Sequence, residues 1–157
     1  DSRFRRAVLY PVQSLSIDQK IDLKGVPFAI EAESSEDHKI VQKFAFELSD
    51  KVFDLNSAKR EKLHVSAVFA NNFSNFMFTC AEELCKEHQI PFESLRPLIL
   101  ETGRKVQYML PENAQTGPAR RQDQEVIKQH IEQLKGQKKE IYKLLSLTIS
   151  DIYKKEQ

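Results

Sequence analysis

The sequence predicts an α+β protein that is mainly α, on three observations. Segments with strand character all lie upstream of Ser57. From Ser57 onward the apolar spacing becomes helical and stays so. The strand-bearing part offers three strands and one helix, too little to cover both faces of a sheet, so the sheet is expected to be incomplete.

The strand-like segments are RAVLYPVQS from Arg6, VPFAIEA from Val26 and KVFDLN from Lys51. Between the second and third, SSEDHKIVQKFAFELSD offers Ser34 or Ser35 as an N-cap and acids in the first turn. Ile40, Val41, Phe44 and Leu48 follow at helical spacing. Ser57 is placed to cap a long helix through AKREKLHVSAVFANNFSNFMFTCAEELCKEH. That stretch has no proline or glycine, and it is so apolar that most of its circumference is expected to be buried. Pro91 stops it. FESLRPLILETGRKVQYML predicts a second helix with Leu95, Leu98, Ile99, Val106 and Leu110 inward, Pro97 falling early enough to be tolerated. A third runs from Asp123 to Leu134 with Ile127, Ile131 and Leu134 on one face. The polar KGQKKE reads as a link, and IYKLLSLTISDIYKK as a fourth helix.

Lys and Arg number 24 against 23 Asp and Glu, so no global field draws the chain to nucleic acid or to an anionic membrane. No apolar run approaches the roughly 18 residues of a membrane span, and the first residues are charged rather than signal-like. Cys80 and Cys85 sit on different faces of the predicted long helix, unsuited to a disulfide or a metal pair, so a reducing, cytoplasmic setting is expected. No histidine and cysteine spacing matches a zinc site, no acidic cluster a divalent cation, and neither G-x-G-x-x-G nor a P-loop is present. A start at Asp1 that enters an apolar stretch within a few residues is expected of a piece excised from a longer chain.

Two places carry groups suited to chemistry. Taking His64 as zero on the long helix, at about 100° per residue, Asn71 falls near −20°, Asn75 near +20° and Asn72 near +80°. This polar stripe is either a set of satisfied interhelical hydrogen bonds or the wall of a cleft. In a cleft, His64 would exchange a proton and the amides would fix a carbonyl or carboxamide. The second place is NAQTGPARRQDQEVIKQH, residues 113 to 130. Gly117-Pro118 halts regular structure, and Asp123 is placed to cap the next helix through its carboxylate. Arg120 and Arg121 either bind a phosphate or carboxylate through their planar forks or remain solvated loop charges. His130, three residues beyond Ile127, is either a packing residue or part of the site.

Four segments in order, YPVQS, LHVSAVFANNFSNFM, RPLILETGRKV and QTGPARRQD with its downstream histidine, resemble the Rossmann-like proteins that carry a helical C-terminal domain called domain of unknown function 2520. The resemblance covers nearly the whole chain. It implies the C-terminal part of an NAD(P)-dependent oxidoreductase, similar in layout to pyrroline-5-carboxylate reductase and the hydroxyacid dehydrogenases. Residues 1–56 would be closing strands of a Rossmann-like domain. Residues 57–157 would be an all-helical domain of the 6-phosphogluconate dehydrogenase C-terminal type, which pairs into a homodimer and completes a cleft for a small-molecule substrate. The glycine turn for the pyrophosphate would lie upstream, so NAD or NADP is implied for the full-length protein, with no cofactor-binding residue assigned in this chain and no metal.

Carried over residue by residue, the resemblance implies His64 as the catalytic proton donor and Asn72, with Phe73, as an Asn-aromatic pair. It also implies Thr116, Gly117, Arg121, Asp123 and His130 as a substrate-binding set. His64, Asn72, Asn75, Thr116, Arg121 and His130 are expected to line one cleft, within one subunit or across the dimer. Two departures stand out. Gln122 stands where many members carry glycine, so the local backbone is expected to differ. The lysine with an asparagine four residues on, used by hydroxyacid dehydrogenases, has no counterpart: Lys59 and Lys62 are followed at that spacing by Leu63 and Ser66. The competing reading is a non-catalytic dimeric module for a small ligand or a partner protein, separated from the first by whether the glycine fingerprint stands upstream.

Overall fold

Three strands begin the computed structural model, which describes residues 4–15 and 20–154. They are β1 (Ala7–Pro11), β2 (Phe28–Ala32) and β3 (Val52–Asp54), in the order β1-β2-β3. β1 runs antiparallel to β2, with Leu9 opposite Ile30, and β3 runs parallel to β2, with Ala29 opposite Phe53. A parallel pair needs a crossover, and α1 (Ser35–Leu48) supplies it. Of the two candidate serines Ser34 is the cap, its hydroxyl oxygen accepting from the Asp37 N–H at 3.1 Å. One face of α1 seats on the sheet, burying Ile30, Val41 and Ala45 together, with Leu9, Ala32 and Val52 packed against them. At the end of α1, fully buried Ser49 donates to the Val26 carbonyl at 2.5 Å and accepts from the Lys51 N–H at 3.0 Å. One hydroxyl thereby ties the entries of β2 and β3.

The long helix is present but differs from expectation in three ways. Its cap is Asn56, whose Oδ1 accepts from the Lys59 N–H at 3.0 Å. Ser57 instead gives its N–H and its hydroxyl to the Glu31 carboxylate on β2. Its middle is not α-helical, because α2 (Ser57–Ala67) passes into a π-helical turn (Val68–Phe73) before α3 (Ser74–Glu87). The expected burial is also absent: among the described residues α2 buries none and α3 only Cys85. Val65, Phe69, Phe73 and Phe76 are 54%, 65%, 50% and 48% exposed. Apolar composition states how much surface seeks cover, not which chain supplies the cover.

The chain divides into two compact units, one reaching Phe78 and the other starting at Thr79. In the second, a 3-10 turn (Phe92–Leu95) leads into α4 (Arg96–Lys105), whose first turn accommodates Pro97. Leu95 and Ile99 are partly buried as expected. Leu98, Val106 and Leu110, expected inward, are exposed: Val106 and Leu110 lie beyond α4, which ends at Lys105, and Leu98 lies on the exposed side of α4 itself. A single turn, α5 (Pro111–Ala114), precedes α6 (Gln124–Gln133), which Asp123 caps by accepting from the Val126 N–H at 3.2 Å.

The last helix, α7 (Gly136–Tyr153), begins inside the segment read as a polar link. Gln, Lys and Glu are strong helix formers, and Lys138 is clamped by Glu83 at 2.7 Å and Glu87 at 3.1 Å on α3. Among the described residues, no helix is long and apolar enough to cross a membrane, and no group of three His, Cys, Asp or Glu is placed to hold a metal ion. Cys80 and Cys85 are free thiols.

Candidate functional site

Two anchors set α2 against the sheet. In its first turn Arg60 and Ser57 hold Glu31 of β2, and the Arg60 hydrogen bond, followed by that of Ser57, draws the Glu31 carboxyl below its ordinary value. One helical turn beyond Arg60 comes His64, whose Nδ1 lies 3.1 Å from the Tyr10 hydroxyl at the end of β1. The two rings meet edge to face with centroids 6.5 Å apart.

The π-turn then decides which asparagines share His64's face. A π-turn acts as one residue inserted into an α-helix, rotating everything after it by about 100° relative to what precedes. Asn75, which a uniform helix would place beside His64, is accordingly not among the residues lining the His64 cavity, whereas Asn71 and Asn72, inside the turn, are. That cavity measures about 490 Å³, within the range of small-ligand sites. Gln13 and Ser14 after β1 also line it, and Leu63, Ala67 and Val68 contribute apolar surface. Tyr10 received no role from the sequence although it lies in YPVQS. A tyrosine in a strand reads as packing until the partner of its hydroxyl is known.

The cavity can therefore hold a small polar group against several hydrogen-bonding side chains. The phenol and the imidazole can share a proton, and each asparagine presents both a carbonyl acceptor and an amide donor. These are the groups needed to orient a carbonyl and to deliver a proton to it.

In the second unit the turn at residues 116–123 is held mostly by its own residues. Gly117 adopts φ 104°, open to glycine without strain. Ala119 is buried and its carbonyl accepts from the Ser150 hydroxyl at 3.2 Å. Arg120 lies 4.0 Å over the Tyr153 ring, a cation–π contact that gives this arginine a packing role. Asp123 caps α6, while Thr116 and Arg121 remain exposed. His130 on α6 meets the Tyr142 hydroxyl of α7 through Nδ1 at 2.7 Å, a second His–Tyr pair.

Gln122 corrects an expectation. Its backbone stands at φ 59°, the left-handed conformation that glycine would take freely, so the turn keeps a glycine-like backbone without the glycine. The side chain helps hold it there, Nε2 donating to the Ser150 carbonyl at 2.9 Å. Of the residues singled out from sequence, the structure thus brings His64, Asn71 and Asn72 to one cavity, adds Tyr10, and places Asn75 outside its lining. Separately, it groups Thr116, Gly117, Arg121 and Asp123 in one turn leading to the helix that carries His130.

The family model described as Domain of unknown function (DUF2520) matches residues 26–149. The chain belongs to this family. The crystal structure of a putative NADP oxidoreductase from Bacteroides fragilis is similar to the chain, with a TM-score of 0.89 and 42% identity over 94% of this chain and 57% of that one. A Thermotoga maritima protein shares the fold at a TM-score of 0.75 and 23% identity, over 96% of this chain and 62% of its own. This DUF2520 chain therefore spans less than two thirds of the length of either structure. No curated protein matches it.

Proposed function

We propose that this DUF2520 chain is the C-terminal, dimer-forming and substrate-cleft region of a cytoplasmic NAD(P)-dependent oxidoreductase acting on a small polar substrate. In this reading residues 1–56 close a Rossmann-like domain and residues 57–157 form its helical domain. The observation that carries it is the cavity where Tyr10 meets His64 beside two asparagines on a π-turn, since such turns concentrate at functional sites. The 42% identity to the Bacteroides fragilis structure, described as a putative NADP oxidoreductase, supports the reaction class.

His64 is the proton donor to the substrate carbonyl as it is reduced, Tyr10 holds its ring, and Asn71 and Asn72 hold the carbonyl. Thr116 and Arg121 bind polar or anionic parts of the substrate. The four glycines, Gly25, Gly103, Gly117 and Gly136, are dispersed along the chain. None makes the glycine-rich turn that receives a pyrophosphate, so in this reading that turn is supplied from outside these residues. Cofactor use belongs to the full-length protein.

The test is fluorescence titration of the full-length protein with NADH and NADPH, then a substrate screen following nicotinamide absorbance. His64→Ala should lower turnover by about 10²–10⁴-fold, the range for loss of a general acid, with an unchanged unfolding midpoint. Absence of both cofactor binding and turnover would leave the non-catalytic ligand-binding module as the better account.

A further inference from the structure

The cavity at His64 has an electrical character that its hydrogen-bonding groups alone do not convey. Among the described residues that line it there is no Lys, Arg, Asp or Glu, although these four make up 30% of the chain. Its polar side chains are the Tyr10 phenol, the His64 imidazole, and the neutral groups of Gln13, Ser14, Ser66, Asn71 and Asn72. An ion entering such a site sheds water without meeting a counter-charge, which is unfavourable.

The asparagines sharpen the discrimination. Each offers one carbonyl acceptor and one two-hydrogen donor. An amide, itself donor and acceptor, can answer both. A carboxylate offers only acceptors, so every asparagine carbonyl turned toward it meets like charge. Gln13 is already partly engaged, its Oε1 accepting from the Ser14 N–H at 2.9 Å, which leaves its amide N–H groups as the available donors.

We propose that the Tyr10, His64 and π-turn cavity binds the uncharged polar end of its ligand, an amide or a carbonyl, and rejects carboxylate and phosphate. This rests on the substrate-cleft reading above and narrows it. The uncharged group could belong to the substrate or to the nicotinamide ring of a cofactor, and the choice of probes separates the two.

Two matched pairs serve as probes: lactamide with lactate, and nicotinamide with nicotinate. Each is titrated into the isotopically labelled chain in mildly alkaline buffer and followed by amide NMR. The amide of at least one pair should bind about tenfold more tightly than its acid, with shifts centred on Tyr10, His64, Asn71 and Asn72. Preference for lactamide assigns the cavity to the substrate, and preference for nicotinamide to the cofactor ring. Asn72→Lys, which adds a cation, should reverse the preference toward the acid. Gln13→Lys, a lining residue outside the π-turn, provides the same test should the first substitution disturb that turn. Equal binding of amide and acid, preference for the acid, or no shift at the cavity with either amide overturns the proposal. A full-length protein that oxidises neither NADH nor NADPH would sink the proposed reaction while leaving this preference standing.

Discussion

Replacing Gln122 by alanine and, separately, by glycine measures the backbone of the turn before α6. Both substitutions remove the Nε2 bond to the Ser150 carbonyl, so that loss cancels when the two variants are compared with each other. Ser150's carbonyl keeps its bond from the Lys154 N–H, so neither variant leaves it unsatisfied. In ordinary backbone, alanine is the more stable by about 0.4–1 kcal/mol, because glycine has more unfolded-state freedom to lose. At φ 59° alanine carries a left-handed penalty of roughly 1–2 kcal/mol that glycine escapes. The difference is about 0–1.6 kcal/mol in favour of glycine, the reverse of the usual sign.

Against the wild type, Gln122→Ala should cost about 0.5–1.5 kcal/mol, the net value of one hydrogen bond. Gln122→Gly should lie close to the wild type, its relief of strain offsetting the lost bond. For a chain of this size, 1 kcal/mol moves the thermal midpoint by about 2–4 °C, resolvable by circular dichroism. Should Gln122→Ala prove more stable than Gln122→Gly, as in ordinary backbone, the backbone is not left-handed in solution and the account of this position fails.

Arg60 first, then Ser57, hold the Glu31 carboxyl below its ordinary value. Their contribution is therefore complete above the unfolded carboxylate value of about 4.3 and is lost as pH falls through the lower folded value. Thermal midpoints between neutral pH and pH 3 should fall more steeply for the wild type than for Glu31→Gln, and parallel curves would refute the pairing. Ser49→Ala leaves the Lys51 N–H and the Val26 carbonyl without their buried partner, so urea unfolding should show a loss of about 1–3 kcal/mol; a loss under 0.5 kcal/mol would mean that water replaces the hydroxyl. The exposed stripe of Val65, Phe69, Phe73 and Phe76 fits a homodimer face. Light scattering should give about twice the 18.2 kDa chain mass, with Phe69→Glu shifting the population to monomer, whereas a monomeric wild type at micromolar concentration would remove the dimer from the proposal.

Where a signal is local and periodic, the sequence alone determined the outcome. The helical spacing of Ile40, Val41, Phe44 and Leu48 located α1, although the structure buries Val41 and Ala45 and leaves Ile40 and Phe44 exposed, and Asp123 before an apolar repeat located the start of α6. His64 and Asn72 are brought together by the resemblance of LHVSAVFANNFSNFM to the family, since helix geometry alone sets Asn72 about 80° from His64. Tertiary structure decided the features whose energetics depend on distant partners. Asn56 and Ser57 are both competent caps, and Glu31, a residue from another element, claims Ser57 and leaves the cap to Asn56. Tyr10 lies 54 residues from His64, a separation that no periodicity reports. The π-turn follows from no residue type, yet it sets which asparagines line the cavity. Gln122 holds a backbone that its own side chain disfavours; its bond to Ser150, formed only once α7 has packed beside the turn, helps offset that strain.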